Sequence, residues 1–275
     1  MVNEITMRLY DLILRYFKKA PKATKRKFGW KRDLHDPRDF KFKVSAPSAP
    51  RVVPLLIDMR PGFPPVYNQE DIGSCTGNAL GAAYQYGDMK QGNPSFIPSR
   101  LFIYYNERVI EGTVNEDNGA MIRTGIKTLV DSGVCPETMW KYNTWKFKKK
   151  PCPECYTAAL DNQVLQYLRI SPHTLQGVKE ALADGFPVVF GFTLYESFMT
   201  DTVARTGMAT PPLPNEAPIG GHAVLAVGYD DSKQCLIVRN SWGTSWGLNG
   251  YFYLPYWYIT TPNAAADFWV IKLVE

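Results

Sequence analysis

The 275-residue chain has few of the residue types that would place it in the easily excluded classes. Its five cysteines are odd in number and unevenly spread, so they do not make the framework of a small disulfide-stapled secreted domain, and a reducing compartment is compatible with them. No apolar run is long enough to cross a bilayer, and the early apolar stretch is broken by Arg8, Asp11 and Arg15, which argues against both a membrane anchor and a secretory signal. The body also lacks a charge excess. Lys and Arg number 31 against 26 acids, but residues 1–33 hold ten basic and three acidic side chains, leaving 21 against 23 for the rest. The basicity belongs to the N-terminus, and a nucleic-acid-binding body is excluded. Only three histidines exist, which narrows any search for a general base.

What is present is a composition, 45% hydrophobic and 21% charged, able to bury a substantial core as one domain or two lobes. Ile5, Leu9, Leu12, Ile13 and Tyr16 share a helical face, followed by a basic run over 18–27. That stretch reads as a terminal helix docked on the body, ahead of a membrane-surface helix. An ordered extended segment over 30–42 and a Pro/Ala/Ser linker over 45–50 follow, so the body is expected to begin near Arg51. Helices are expected from Cys75, over 98–109 and over 120–132, then a short one over 174–183. A buried strand over 187–193, a Pro/Gly/Thr-rich surface loop over 200–219 and strands over 222–229, 234–239 and 250–254 complete the pattern. A helical lobe (about 60–165) and a β-rich lobe (about 166–275) are therefore expected, with a cleft between them.

Three residues carry the chemistry. Ser74 stands at a helix N-cap position with Gly73 making the turn before it, which puts Cys75 in the first helical turn, where the exposed N–H groups and the dipole favour a thiolate. Read alone, Cys75 is as well a small core residue. Asp230, Asp231, Ser232 and Lys233 form a hairpin turn, and centring it near residue 231 sets His222 beside Asn240 across the two strands. An imidazole acting as a base needs one nitrogen held by an acceptor and the other facing the nucleophile, and the Asn240 side-chain oxygen can be that acceptor. His35 and His173 are most simply surface residues. Cys152 and Cys155 form a C-x-x-C with no second half-site after it, so the reading is a turn, with or without a local disulfide, ahead of zinc.

The combination of Gln69-x5-Cys75, Gly221-His222-Ala223-Val224 and the run from Asn240-Ser241-Trp242-Gly243 to Gly250-Tyr251 resembles the papain and cathepsin family of cysteine proteases over roughly residues 60–275. The resemblance implies an α+β fold with a helical lobe carrying Cys75 facing a β-barrel-like lobe carrying His222 and Asn240. It implies peptide-bond hydrolysis through a thioester with a polypeptide substrate, no cofactor and no metal. Cys75 would be a thiolate paired with protonated His222, Asn240 would orient the ring under Trp242, and Gln69 with the Cys75 N–H would form the oxyanion hole. Two alternatives stay open: an idle peptide-binding protein of the same fold, and a peptide ligase using the same thioester. The family's usual cysteine three residues before the nucleophile and aromatic after it are here Ile72 and Thr76. Its substrate-pairing glycine strip is also absent, with Asp117, Asn118, Gly119 and Ala120 as the replacement, and Ala266 in the stretch 264–267 is expected to border a substrate pocket. The first 50 residues lack the long helical pro-region pattern, and part of them is expected to lie over the cleft and restrain activity.

Overall fold

A computed structural model describes residues 26–37, 39, 41, 51–170 and 174–274. The expected helix over 5–16, the linker over 45–50 and His173 lie outside the described residues, as does most of the basic run over 18–27.

The helical half opens with α1 (Cys75–Lys90). It is buried almost all round, because small residues let its neighbours close in: a Cβ on Gly77 would lie 2.8 Å from the Arg100 carbonyl oxygen. Ser74 occupies the cap position but does not cap. Its hydroxyl instead pairs with the Tyr142 hydroxyl at 2.6 Å and takes a bond from Asn78 Nδ2. Helix α2 (Arg100–Ile110) is capped by Ser99, whose oxygen accepts from the Phe102 amide, and α3 (Ile122–Asp131) packs Ile122, Ile126 and Leu129 inward. The C-x-x-C stretch is not a simple turn: Pro153 starts a short helix, α4 (Pro153–Ala159), and both of its thiols are free.

The second half is one antiparallel sheet, extended by β2 (Leu56–Asp58), which pairs with the end of an interior strand. Its strands are β4 (Val164–Ile170), β5 (Val188–Tyr195), β6 (Pro218–Asp230), β7 (Cys235–Arg239), β8 (Tyr251–Pro255) and β9 (Ala265–Val274). They run in the order β4-β9-β5-β6-β7-β8, with β2 on β6, and the sheet stays open rather than closing into a barrel. Helix α5 (Leu175–Ala183) precedes β5. The 200–219 stretch is less irregular than its composition suggests. Thr200 caps a short helix, α6 (Asp201–Thr206), Gly207 ends it in the left-handed conformation, and β6 begins at Pro218. A last short helix, α7 (Trp257–Thr260), leads into β9.

Alternation sorts the sheet into two faces. Val189, Ala223, Leu225 and Val227 join Leu80, Tyr104 and Ile126 in a core against the helices. On the reverse face Phe190, Phe192, Val224 and Phe252 build an aromatic core with Phe198, Trp242 and Trp246. Two further strands form a small sheet of their own. The short β1 (Trp30–Lys31) runs parallel to β3 (Ala120–Met121), so the N-terminal segment is bound to the body by backbone pairing.

Arg239 ties the sheet to the chain before α1: its guanidinium, buried, donates to the carbonyls of Pro64 and Pro65 at 2.7 and 2.6 Å and to the Tyr251 hydroxyl at 2.9 Å. Arg239→Met is expected to leave these acceptors unpaired and to lower unfolding stability by about 3 kcal/mol. Denaturant melts of the two proteins check this, and coincident midpoints would refute it.

Candidate active site

Helix α1 delivers Cys75 at its first position and β6 delivers His222, whose neighbour Ala223 touches the thiol where the helical half meets the sheet. The Cys75 sulfur accepts from the Ala223 amide at 3.4 Å, and the amides of Thr76 and Gly29 also face it. His222 Nε2 and Asn240 Oδ1 are 2.8 Å apart, while Nδ1 has no partner among the described residues. Trp242 stacks on the imidazole, with ring centres 4.8 Å apart and planes within 24°.

His222 and Asn240 come together by a different route from a facing pair. The β6/β7 register joins Leu225 to Arg239 and Asp230 to Cys235, with a bulge between Ala226 and Gly228, and β7 ends at Arg239. The hairpin turn therefore lies later than centring at residue 231 implies, and Asn240 reaches His222 from beyond the ladder's end. Its oxygen is held in turn by the Ser241 amide at 2.8 Å.

Gln69 is fully buried beside them. Its side-chain oxygen accepts from Ser241 Oγ at 2.7 Å, and its amide nitrogen donates to the carbonyls of Ile72 at 3.0 Å and Lys27 at 3.3 Å. The residue at the usually aromatic position, Thr76, turns inward and donates to Glu107 Oε2 at 2.7 Å. Complete burial pushes the Glu107 carboxyl up to about 8, so it sits protonated under the helix that carries Cys75.

A segment of the chain itself occupies this site. Residues 26–33 run across it as a strap. A Cβ on Gly29 would lie 1.8 Å from the Gly73 carbonyl oxygen, and one on Gly119 would lie 1.8 Å from the Gly29 oxygen, so only glycine fits either position. Gly119 and Ala120 are thus brought against peptide backbone: the Ala120 amide donates to the Gly29 carbonyl at 2.8 Å. The Trp30 indole fills the space over Gly191 and Gly221, where a Cβ would meet the ring at 1.9 and 2.6 Å. Its N–H donates to Asp267 Oδ2 at 3.1 Å. In the 264–267 stretch, then, the polar contact is made by Asp267, next to Ala266, which pairs with Gly191 across β9 and β5. On the other side of the thiol the Arg26 guanidinium lies 4.3 Å from the Trp242 ring centre.

Further along, the strap ends in a charged lock. Asp33 accepts from the Arg123 amide and the Trp269 indole, and its own amide donates to Asp267. Asp39 takes both arms of Arg123, at 2.9 and 2.6 Å, and also Arg169 at 2.5 Å, while Arg169 reaches Asp267 at 3.1 Å. None of Gly29, Trp30, Asp33, Asp39, Arg123, Arg169 and Asp267 is singled out by sequence spacing. The available signals were the run of polar and charged residues after Trp30 and, for Asp267, its place in the stretch 264–267 expected to border a pocket.

The strap changes the electrostatics of the pair beneath it. Burial raises the Cys75 thiol to about 11, against weaker help from the amides of Ala223, Gly29 and Thr76. Burial likewise lowers His222 to about 4, opposed by the Asn240 bond and assisted by the Arg26 charge. With the strap in place the two groups are therefore a neutral thiol and a neutral imidazole. Burial of both works against separated thiolate and imidazolium charges beneath the strap. Among the described residues no group of side chains is arranged to hold a metal ion, and no helix is long and apolar enough to cross a membrane.

Comparison with known proteins gives a consistent pattern. The family model for papain family cysteine proteases matches residues 53–258. A peptidase C1-like protein of Acanthamoeba polyphaga mimivirus is 43% identical over 272 residues, covering 90% of this chain and 88% of its own. Pro-cathepsin H of Bos taurus is 29% identical over 196 residues, 68% of this chain and 55% of its own. Among solved structures, xylellain, a cysteine protease from Xylella fastidiosa, shares the fold with a TM-score of 0.84 at 43% identity, covering 92% of this chain and 98% of its own.

In the full chain His222 is expected to remain neutral down to about pH 4. Burial is what lowers it, so Trp30→Ala, which loosens the strap, should raise its midpoint well above that value. Carbon–proton NMR titration can follow all three histidines; an unmoved His222 would mean that the strap is not what dries the ring.

Proposed function

This chain belongs to the papain family of cysteine proteases, acting on polypeptides, and from that membership we propose the roles of its individual residues. Cys75 is the nucleophile. Once water or a substrate replaces the strap, a proton passes from the Cys75 thiol to His222 Nδ1, and the thiolate attacks the peptide carbonyl carbon. The oxyanion that forms is met by Gln69 Nε2 and the Cys75 amide. His222 gives its proton to the departing amine, leaving a thioester; it then takes a proton from water, which attacks the same carbon and frees the acid and the thiol. Asn240 Oδ1 keeps the Nε2–H in place, so that Nδ1 exchanges the proton, and Trp242 shields that bond.

The observation that carries this reading is the convergence of four side chains from three separate stretches. Cys75, His222 with Asn240, and Gln69 lie within one buried site, and Ser241 bonds Gln69 from the residue next to Asn240. A packing role alone gives no reason for a buried imidazole with one nitrogen held and the other unpaired.

We further infer that residues up to about 50 form an inhibitory cover on a peptidase body beginning near Arg51, and that Gly119, Ala120 and the wall near Ala266 receive substrate where the strap now lies. The strap resists cleavage because the thiol faces the Gly29 amide N–H rather than a carbonyl carbon, and the Gly29 carbonyl is bonded to Ala120.

Gly29→Ala adds one methyl where there is no space for it, and is expected to dislodge the strap and raise peptide hydrolysis roughly tenfold or more. In that background Cys75→Ala or His222→Ala should abolish turnover, and Gln69→Ala should lower kcat by about a hundredfold with little change in KM. Fluorogenic peptide assays read all three. If Gly29→Ala is no more active than the parent, the strap is not inhibitory; if Cys75→Ala retains activity, the nucleophile is wrong.

A further inference from the structure

Three of the five cysteines, none of them Cys75, converge at the far end of the helical half. Cys152 and Cys155 stand at the start of α4 with their sulfurs 3.0 Å apart and no bond between them. Cys135, on the chain after α3, completes the cluster by a hydrogen bond with the Cys155 thiol. Cys135 and Cys155 are buried in the core; Cys152 is partly exposed. Burial raises both buried thiols above the ordinary range, which keeps them protonated and out of reach.

Cys152 does not open onto featureless surface. It lies in the wall of a hollow of about 610 Å³ shared with Trp140, Lys149, Lys150 and Tyr156. Trp140 is buried, and its indole N–H has no partner among the described residues. The rim is cationic: Lys150 lies over the Tyr156 ring and Lys146 over that of Trp140. Four of the five residues from Lys146 to Lys150 are lysines, and the one acid at the site, the exposed Glu154, accepts a hydrogen bond from the Cys152 thiol. A partly exposed sulfur, a second sulfur already in contact behind it and a cationic, aromatic-walled hollow in front are together more than packing requires.

We propose that Cys152 and Cys155 form a thiol–disulfide exchange site, separate from the proteolytic centre, that reacts with small carboxylate-bearing disulfides. Cys152, as its thiolate, attacks one sulfur of the incoming disulfide. A bond to Cys152 forms, the ligand's sulfur–sulfur bond breaks, and one half leaves as a thiolate that takes up a proton. The Cys155 thiol then gives its proton to solvent and attacks the Cys152 sulfur. The mixed disulfide breaks, the second half leaves and is protonated, and a Cys152–Cys155 bond remains. Two protein thiols are oxidised while one ligand disulfide is reduced to two thiols. Cys152 is the attacking group because it alone of the three meets solvent, and Cys155 resolves because it is already in contact. The lysines gather the carboxylates.

The test uses the reduced full chain with glutathione disulfide as the anionic probe and cystamine as the cationic one, followed by mass spectrometry of the digested protein. The expected product is the loss of two hydrogens within the peptide 150–169, with the peptides holding Cys75 and Cys235 unmodified. Cys155→Ser should stop at a glutathione adduct on Cys152, and Cys152→Ser should not react. Glutathione disulfide should react roughly tenfold faster than cystamine at low salt, and Lys149→Glu with Lys150→Glu, both at the surface, should remove or reverse that preference. A bond mapped to Cys135, or thiols at 152 and 155 that stay alkylatable after equilibration, would overturn the site. Equal rates with the two probes would overturn the ligand class. The lysine variants and the wild-type mapping decide the matter even if a cysteine variant does not fold.

Discussion

Exclusion of water from Cys75 and His222 by the backbone of residues 27–30 is the constraint on which the rest of the site depends. A thiolate and an imidazolium each need solvent, a counter-charge or both, and the strap removes the solvent from the two at once. Both groups are shifted toward their neutral forms beneath it. The surrounding sequence serves that close approach. Gly29 and Gly119 let backbone pass over backbone where any side chain would collide, and Gly191 and Gly221 open the floor of the pocket taken by the Trp30 indole. The body's own architecture supplies the remaining walls: α1 below, β5 and β6 beside, and the stretch from Asn240 to Trp242 above.

Much of this was legible in the sequence, and the boundary is physical. The helices from Cys75, near Arg100 and near Ile122 declare themselves through spacing, although Ser74 does not cap the first, and β5 to β8 through apolar runs between turn residues. Cys75, His222, Asn240 and Gln69 could be chosen because cysteine and histidine are scarce and the family motifs are compact. Strand pairing was less secure: the bulge after Ala226 and the early end of β7 cannot be read from the hairpin turn, so the register was displaced although His222 does meet Asn240. Strands β4 and β9 escaped notice because Val164–Ile170 mixes exposed and buried positions, and because β9 follows a helix and a turn with no distinct signal. The strap itself was expected only as a segment over the cleft. A two-residue strand such as β1 has no local stability, and it exists only where the body presents β3 to it.

The lock beyond the strap accounts for how a segment so thinly paired can stay in place. Asp33, Asp39, Arg123, Arg169 and Asp267 share their charges in a partly buried network that ties the strap to α3, β4 and β9 at once. Such networks contribute little net stability, because both partners lose water, but they are costly to break one partner at a time. That asymmetry suits a reversible cover: it holds one register firmly, yet whole departure returns every charge to solvent. Asp267 is the exception. When the strap leaves, its Oδ2 loses the donors from Trp30 and Asp33 while Oδ1 keeps Arg169, so the emptied pocket retains one charge partner and one vacant acceptor.

The direction in which acid acts on the cover follows from these groups. In the proposed mechanism the strap's arrival moves a proton from imidazolium to thiolate within the Cys75/His222 pair and takes none from solvent. That pair therefore contributes no net pH dependence while its open form is the zwitterion. Asp33 does contribute. Burial first, and then the Asp267 charge, raise its carboxyl to about 6, with the Arg123 amide, the Trp269 indole and the Arg123 charge opposing. Asp267 is shifted in the same direction, burial again being the main cause. A carboxyl whose pKa is higher when docked than when free takes up a proton on docking, so its contribution is fully present below the free value near ~4 and is lost as pH rises through about 6. Across that window acid strengthens the strap's hold through Asp33 and neutral pH weakens it.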